Sequence, residues 1–303
     1  MTYVLIALQE AQIGNSQLYN DIIKQWSQEY TGCDVLVTSP VHTSAQLASI
    51  LLQIYSELRV HILDAGFDHE FDINVLFRPL DRNYAAKFKL AGHVVEGIDD
   101  GFIELHTNLE NISKTDEGPL QSDSLKKADL NDIALVSESI DLGSASCVAV
   151  GGTFDHLHDG HKILLLLTAL CAGSKIIVGV TGDELLKLKK YREFLEPLSV
   201  RMKSVCDFLQ MIMSPRQRFE IYQINDICGP TGYIDHIDAL VISQETRLGA
   251  EFVNARRGER GYRLLKVVCA DVVGGEGNAE NNWKGKLSST DMRAMKAKRQ
   301  KVT

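Results

Sequence analysis

Residues Gly151, Gly152, Thr153, Phe154, Asp155, His156, Leu157, His158, Asp159, Gly160 and His161 form one unbroken run combining glycines, a hydroxyl, carboxylates and imidazoles. The apolar stretch Ser146–Val150 before it reads as a buried strand, and Ile163–Ala172 after it has the length of a helix. The run is therefore a strand, a glycine turn and a helix start. Glycines let the main chain approach a bulky ligand, Thr153 adds a hydroxyl, and a helix opening near Gly160 aims free N–H groups and the positive end of its dipole at whatever lies there. That is the chemistry of a phosphate site. His158 and His161 add imidazoles able to donate hydrogen bonds to phosphate oxygens as charge builds up in a transition state.

Two further segments carry groups of the same kind. Lys187, Lys189 and Lys190 follow the next strand, with Arg201 beyond Pro197; on charge alone such a run reads as a solvated helix face. Ser288, Ser289 and Thr290 precede Asp291 and Arg293, which by itself reads as a helix cap. A cap and a phosphate clamp are physically the same device, so the two readings coexist there. Glu245, Thr246 and Arg247 follow another strand, as a polar strand-end loop or the wall of a ligand site.

The elements needed to position these groups are legible in outline. From Lys175–Val180 onward, strands at Glu220–Ile224, Ala239–Ser243 and Leu264–Val273 alternate with helices at Asp183–Lys189, Ser199–Met213 and Ala250–Glu259. Such alternation predicts a doubly wound parallel sheet, whose ligands bind at the carboxyl ends of the strands. The turns after Val150, Val180 and Ser243 would then converge on one pocket. Upstream, strands at Tyr3–Leu8, Asp34–Thr38 and Arg59–Asp64, with helices at Asn15–Tyr30 and Thr43–Leu58, predict a smaller βαβαβ unit over residues 1–107. It has no phosphate loop or metal-ligand spacing. His42 reads as a helix-start residue and His61 as a strand residue, not as ligands. Residues 108–145, polar and aperiodic, read as a linker before a second domain at 146–303. Because every phosphate-binding cluster follows that linker, a fragment beginning near Ile140 is expected to be active.

Composition narrows the class. With 303 residues and 45% hydrophobic content the chain suits two cored domains, and a net charge of −8 opposes broad attraction to nucleic acid or anionic lipid. Six cysteines without paired spacing read as reduced core residues. The start carries no basic leader and no apolar run reaches about 18 residues, so a cytoplasmic protein without a membrane partner is expected.

The glycine-threonine-phenylalanine-aspartate turn and the histidines after it resemble the signature of the nucleotidyltransferase superfamily. Ser288, Ser289, Thr290 and Arg293 resemble its second signature, with Leu287 in place of isoleucine. Within the superfamily, residues 146–300 look like the eukaryotic and archaeal phosphopantetheine adenylyltransferases. The Arg-Thr-Glu-Gly element of cytidylyltransferases is missing, which disfavours a cytidylyltransferase acting on a small phosphorylated alcohol. The presence of all three clusters disfavours a non-catalytic interaction protein. No P-loop follows, so the fused kinase of animal relatives is not expected, and the chain looks similar to the monofunctional fungal type.

The resemblance implies an α/β, Rossmann-like nucleotidyltransferase domain preceded by a smaller α/β domain. It also implies transfer of AMP from ATP to 4′-phosphopantetheine, giving dephospho-coenzyme A. It assigns His158, His161 and Lys189 to catalysis, and Gly151, Gly152, Thr153, Phe154, Gly160, Lys187, Arg201, Glu245, Thr246, Arg247, Ser288, Ser289, Thr290 and Arg293 to nucleotide or phosphate binding. Lys190 is the alternate lysine. Mg2+ is expected on the ATP phosphates with no protein ligand, and association with other coenzyme A biosynthetic enzymes is left open.

Overall fold

The computed structural model describes residues 3–77, 138–270 and 288–300. The larger sheet is built from β4 (Ala145–Gly152), β5 (Ala172–Thr181), β6 (Arg218–Ile224), β7 (Ala239–Ser243) and β8 (Lys266–Ala270). Its order is β6-β5-β4-β7-β8 and every pairing is parallel. The chain therefore works outward from β4 to β6, then returns to β7 on the other side. That reversal leaves a crevice at the carboxyl ends of the central strands, where doubly wound sheets hold ligands. Crossovers run through α3 (Asp159–Cys171), α4 (Leu198–Ile212) and α5 (Arg247–Glu259), and α6 (Ser289–Gln300) closes the described chain.

The smaller unit is a three-stranded parallel sheet, β1-β2-β3, from β1 (Tyr3–Leu8), β2 (Gly32–Val37) and β3 (Asp72–Leu76). Its helices are α1 (Ser16–Ile23) and α2 (Ser44–Asp64). The βαβαβ order stands, but its third strand is misplaced in the sequence reading. Arg59–Asp64 forms the last turns of α2, because the helical spacing of Leu47, Leu51, Ile54, Tyr55, Leu58 and Ile62 runs unbroken through it. His61 accordingly lies on that helix. The true strand hides its period behind the buried Asn74.

The end of the expected linker is packed. Ile140 is buried and exchanges hydrogen bonds with Ser44, while the Glu138 N–H donates to the Val267 carbonyl. Residues 108–137, the 271–273 end of the expected last strand, and Leu287 lie outside the described residues. One apolar cluster runs from β1–β3 through α2 into α3 and the larger sheet, so α3 is covered on one side by the N-terminal block.

Candidate active site

A cleft of about 520 Å³ opens at the carboxyl ends of β4, β5 and β7. Its floor is the turn after β4. Phe154 and His156 take left-handed backbone, with φ of 50° and 46°, in which bulky side chains are strained. The turn is held nonetheless. The Phe154 ring is fully buried, and a Cβ on Gly152 would stand 3.1 Å from it, so only glycine leaves that ring its place. Asp155 is also fully buried; its carboxylate accepts from Arg293 Nη1 and, at 2.9 Å, from the Glu196 N–H.

From this floor α3 rises with His158 as N-cap residue. His158 and His161 stack, ring centroids 3.9 Å apart and 28° between planes, and both line the cleft. Their Nδ1 atoms are buried without a hydrogen-bond partner. The His158 Nε2 lies 3.3 Å from the Ser289 hydroxyl. Burial, partly offset by Asp159, Asp155 and Asp291, pushes the His158 imidazole down to about 4. Burial and the adjacent His158 hold His161 well below its ordinary value. Both rings are therefore neutral at neutral pH, each with one N–H to give.

The cleft also gathers Gly151, Gly152, Thr153, Gly160, Lys189, Glu245, Thr246, Ser288, Ser289, Thr290 and Arg293. Lys189 is exposed at its mouth, with no side-chain partner among the described residues. The first turn of α6 brings the Ser-Ser-Thr run opposite the histidines. Ser289 donates to the Asp155 carbonyl at 2.9 Å, and Ser288 and Asp291 cap the helix reciprocally.

Several expected ligands are placed otherwise. Arg201 is fully buried and donates Nε to the Glu196 carbonyl and Nη1 to the carbonyls of Thr153 and Thr181, so it ties the ends of β4 and β5 together. Arg293 borders the cleft, but its fork is committed to Asp155, the Lys190 carbonyl and Thr290. Lys187 points away, 2.5 Å from Glu184 on the surface, and is no wall of the cleft. Phe154 lies beneath the floor, 5.2 Å from the His161 ring. Arg247 and Lys190 do not line the cleft. Asp155, Glu196, Asp159 and Lys162 support the site from behind, a role that the motifs do not mark. The signal for Asp155 was its place in the glycine turn, where an acid among apolar neighbours needs a buried cation.

The carboxylates of the cleft wall are Asp159 and Glu245, and Asp159 is engaged by Arg59. Asp155, His156 and Glu196 come together behind the floor, yet Arg293 and Lys296 already occupy them. Among the described residues no helix is long and apolar enough to cross a membrane.

Residues 149–295 match the model of the cytidylyltransferase-like family. A phosphopantetheine adenylyltransferase of Saccharomyces cerevisiae is 35% identical over 264 residues, covering 86% of this chain and 82% of that protein. The chain belongs to the phosphopantetheine adenylyltransferase family. That alignment is longer than the stretch from residue 146 to the end, so the likeness extends into the N-terminal block, beyond the half expected from the motifs. A Pyrococcus abyssi phosphopantetheine adenylyltransferase is 37% identical over 48% of this chain and 88% of its own length. An uncharacterized protein of Schizosaccharomyces pombe is 45% identical over 50% of this chain and 48% of its own.

Proposed function

We infer that the chain transfers the adenylyl group of ATP to 4′-phosphopantetheine, releasing pyrophosphate and forming dephospho-coenzyme A, a step of coenzyme A biosynthesis. The observation that carries this reading is the likeness to the yeast adenylyltransferase over most of both chains. The stacked pair His158 and His161 at the start of α3, both lining the cleft and each with an unpartnered Nδ1, supplies the place for the reacting phosphorus.

The substrate phosphate is already ionised at neutral pH, so it attacks the α-phosphorus directly and no covalent enzyme intermediate is needed. Catalysis then consists of orientation and charge stabilisation. His158 and His161 donate to the α-phosphate as neutral imidazoles, preorganised by their stack. Thr153 and Lys189 receive the incoming phosphate, Lys189 because its mobile ammonium follows charge toward the leaving pyrophosphate. The Thr290 hydroxyl and the first-turn amides of Ser289 and Thr290 take the β- and γ-phosphates, while Ser288 and the Ser289 hydroxyl hold the helix start against Asp291 and the Asp155 carbonyl. Glu245 and Thr246 border the nucleotide or pantetheine side. Arg201 and Arg293 shape the site from behind.

Mg2+ would supply charge neutralisation on the triphosphate. With Asp159 engaged and Glu245 the other carboxylate of the wall, the residues fit an ion held mainly by phosphate oxygens and water. ATP and 4′-phosphopantetheine are then the partners, with no nucleic acid or membrane surface required and a cytoplasmic setting sufficient.

The test is incubation of the purified protein with ATP, Mg2+ and 4′-phosphopantetheine, with products read by mass spectrometry. Dephospho-coenzyme A and pyrophosphate are expected, with CTP a poor replacement. Equal turnover with CTP, or turnover only with phosphocholine, overturns the reading.

A further inference from the structure

The first turn of α3 is gripped by the N-terminal block. Arg59, on α2, sets Nε and Nη2 on the two carboxylate oxygens of Asp159, each at 2.8 Å, and Nη1 on the Phe71 carbonyl at 2.8 Å. Lys162 reaches across to the carboxylate of Asp72, to the Ile73 carbonyl at 2.7 Å and to Asn74 Oδ1 at 2.9 Å. Asp72 is itself fixed by the Tyr3 hydroxyl at 2.7 Å. Arg59, Asp159 and Lys162 are 3%, 5% and 4% exposed.

Buried ion pairs of this kind contribute little net stability, because the desolvation of both charges offsets their attraction, and apolar residues often do as well. What a guanidinium–carboxylate fork adds is direction, since two parallel bonds fix angle as well as distance. Asp159 follows His158 and Lys162 follows His161, so any rotation or slide of the turn that moves one face moves the other. The neighbouring turn after β4 is backbone-strained and keeps its shape through buried partners of its own.

We propose that Arg59 and Asp72 are positioning residues for adenylyl transfer: the N-terminal block sets the rotation and depth of the first turn of α3, and so holds His158 and His161 against the transferring phosphate. The proposal rests on the adenylyltransferase reading above. It gives the N-terminal block a role in the reaction, although none of its residues lines the cleft.

Full-length Arg59→Met is assayed with ATP, Mg2+ and 4′-phosphopantetheine, rates being normalised to the folded fraction from thermal unfolding. Misplacement of this order lowers kcat on the order of 100-fold, while KM for ATP should stay within a few-fold. Arg59→Lys keeps the charge without the fork and should recover only part of the loss. Asp72→Asn is the gentler variant, since the Asp72 side chain is 37% exposed and the amide has the same shape; a smaller kcat loss is expected. In both Arg59→Met and Asp72→Asn the imidazole resonances of His158 and His161 should shift while those of His42 and His236 stay. Should Arg59→Met not fold, Asp72→Asn decides alone. Folded variants with parental kcat and parental His158 and His161 resonances overturn the positioning role. A parent enzyme that makes no dephospho-coenzyme A overturns the function instead, whatever the resonances do.

Discussion

The two faces of one helical turn treat their polar atoms in opposite ways. On the side toward the N-terminal block, Asp159 and Lys162 have hydrogen-bonded ion-pair partners. In His158 and His161, which line the cleft, the Nδ1 atoms are buried with none. An unsatisfied buried polar atom costs about 1–3 kcal/mol, which a fold tolerates where a ligand will complete the set. Trp26 Nε1, Tyr55 Oη and Arg201 Nη2 are also unpartnered, but none of these residues lines the cleft. The same contrast divides the cations. Arg257, like Arg293, is buried and spent on fixed partners, and Arg201 is buried with Nε and Nη1 on carbonyls, whereas Lys189 stands at the mouth with none among the described residues. Satisfied polar groups mark the scaffold, and unsatisfied groups on a cavity wall mark where chemistry is expected.

His161→Ala tests that distinction most severely. Removing one preorganised donor lowers kcat on the order of 100- to 1,000-fold, with a much smaller effect on ATP binding. Stability should fall as well, by about 1–3 kcal/mol, because His161 is only 8% exposed and packs between His158 and Phe154. A kcat within a few-fold of the parent, measured well below the unfolding midpoint, would make the unpartnered nitrogens incidental.

Arg293→Met probes the satisfied side of the same cleft. It leaves Asp155 buried without its cation, a loss of roughly 3–5 kcal/mol in unfolding free energy. Denaturant unfolding reads this directly. Were Arg293 chiefly a phosphate ligand, as its motif position implies, KM for ATP would rise while the unfolding midpoint stayed near that of the parent.

That reversal shows what the sequence could carry. Strand, glycine turn and helix were legible because hydrophobic periodicity and glycine are local signals, and the parallel five-stranded sheet follows from their alternation. The residues facing the cleft were legible because a phosphate site needs a short list of groups. Which cation serves the substrate and which serves the fold was not, because Arg201 and Arg293 are decided by carbonyls and a carboxylate far away in sequence, with Arg293 meeting Asp155 across 138 positions. Arg59 was read as part of a strand, so its grip on Asp159, 100 residues away, had no trace in local pattern. A fragment beginning near Ile140, expected from the sequence to be active, would strip Asp159 and Lys162 of their partners. It should aggregate or lose activity, as size-exclusion chromatography and the product assay would reveal.

Lys189→Ala should lower kcat/KM about 10- to 100-fold, the value of one hydrogen bond to a charged group, and leave the unfolding midpoint unchanged. Steady-state kinetics against both substrates would check it. An unchanged kcat/KM returns the assignment to Lys190.

The two faces should also fail at different pH. His158 and His161 have folded-state values below the ordinary 6.5, so the unfolded chain takes up protons first. Their contribution is complete above pH 6.5 and is lost as pH falls from there toward 4, by up to roughly 1.4 kcal/mol per pH unit for each ring. Asp72 loses its contribution in the same direction but in a lower window. Burial tends to raise its carboxyl, but Lys162, with hydrogen bonds from Tyr3 and Asn74, holds it below the ordinary 3.8, so its contribution is lost only in more acid solution. Unfolding midpoints between pH 7.5 and 5 should therefore decline in the parent and decline less in His158→Gln. Equal slopes would mean that the cleft face is already solvated.

The smallest effect belongs to Lys187→Ala. Lys187 occupies a place in the lysine run as favourable by motif as that of Lys189, yet its ammonium pairs with Glu184 at 2.5 Å, both side chains more than half exposed. An exposed pair one helical turn apart contributes at most a few tenths of a kcal/mol, and solvent screens it further. Both kcat and KM should then stay within about twofold of the parent, since the whole expected change is under about 0.4 kcal/mol. A tenfold loss would mean that substrate draws Lys187 off Glu184 into the cleft, and Glu184→Gln, which frees that ammonium, should then raise activity.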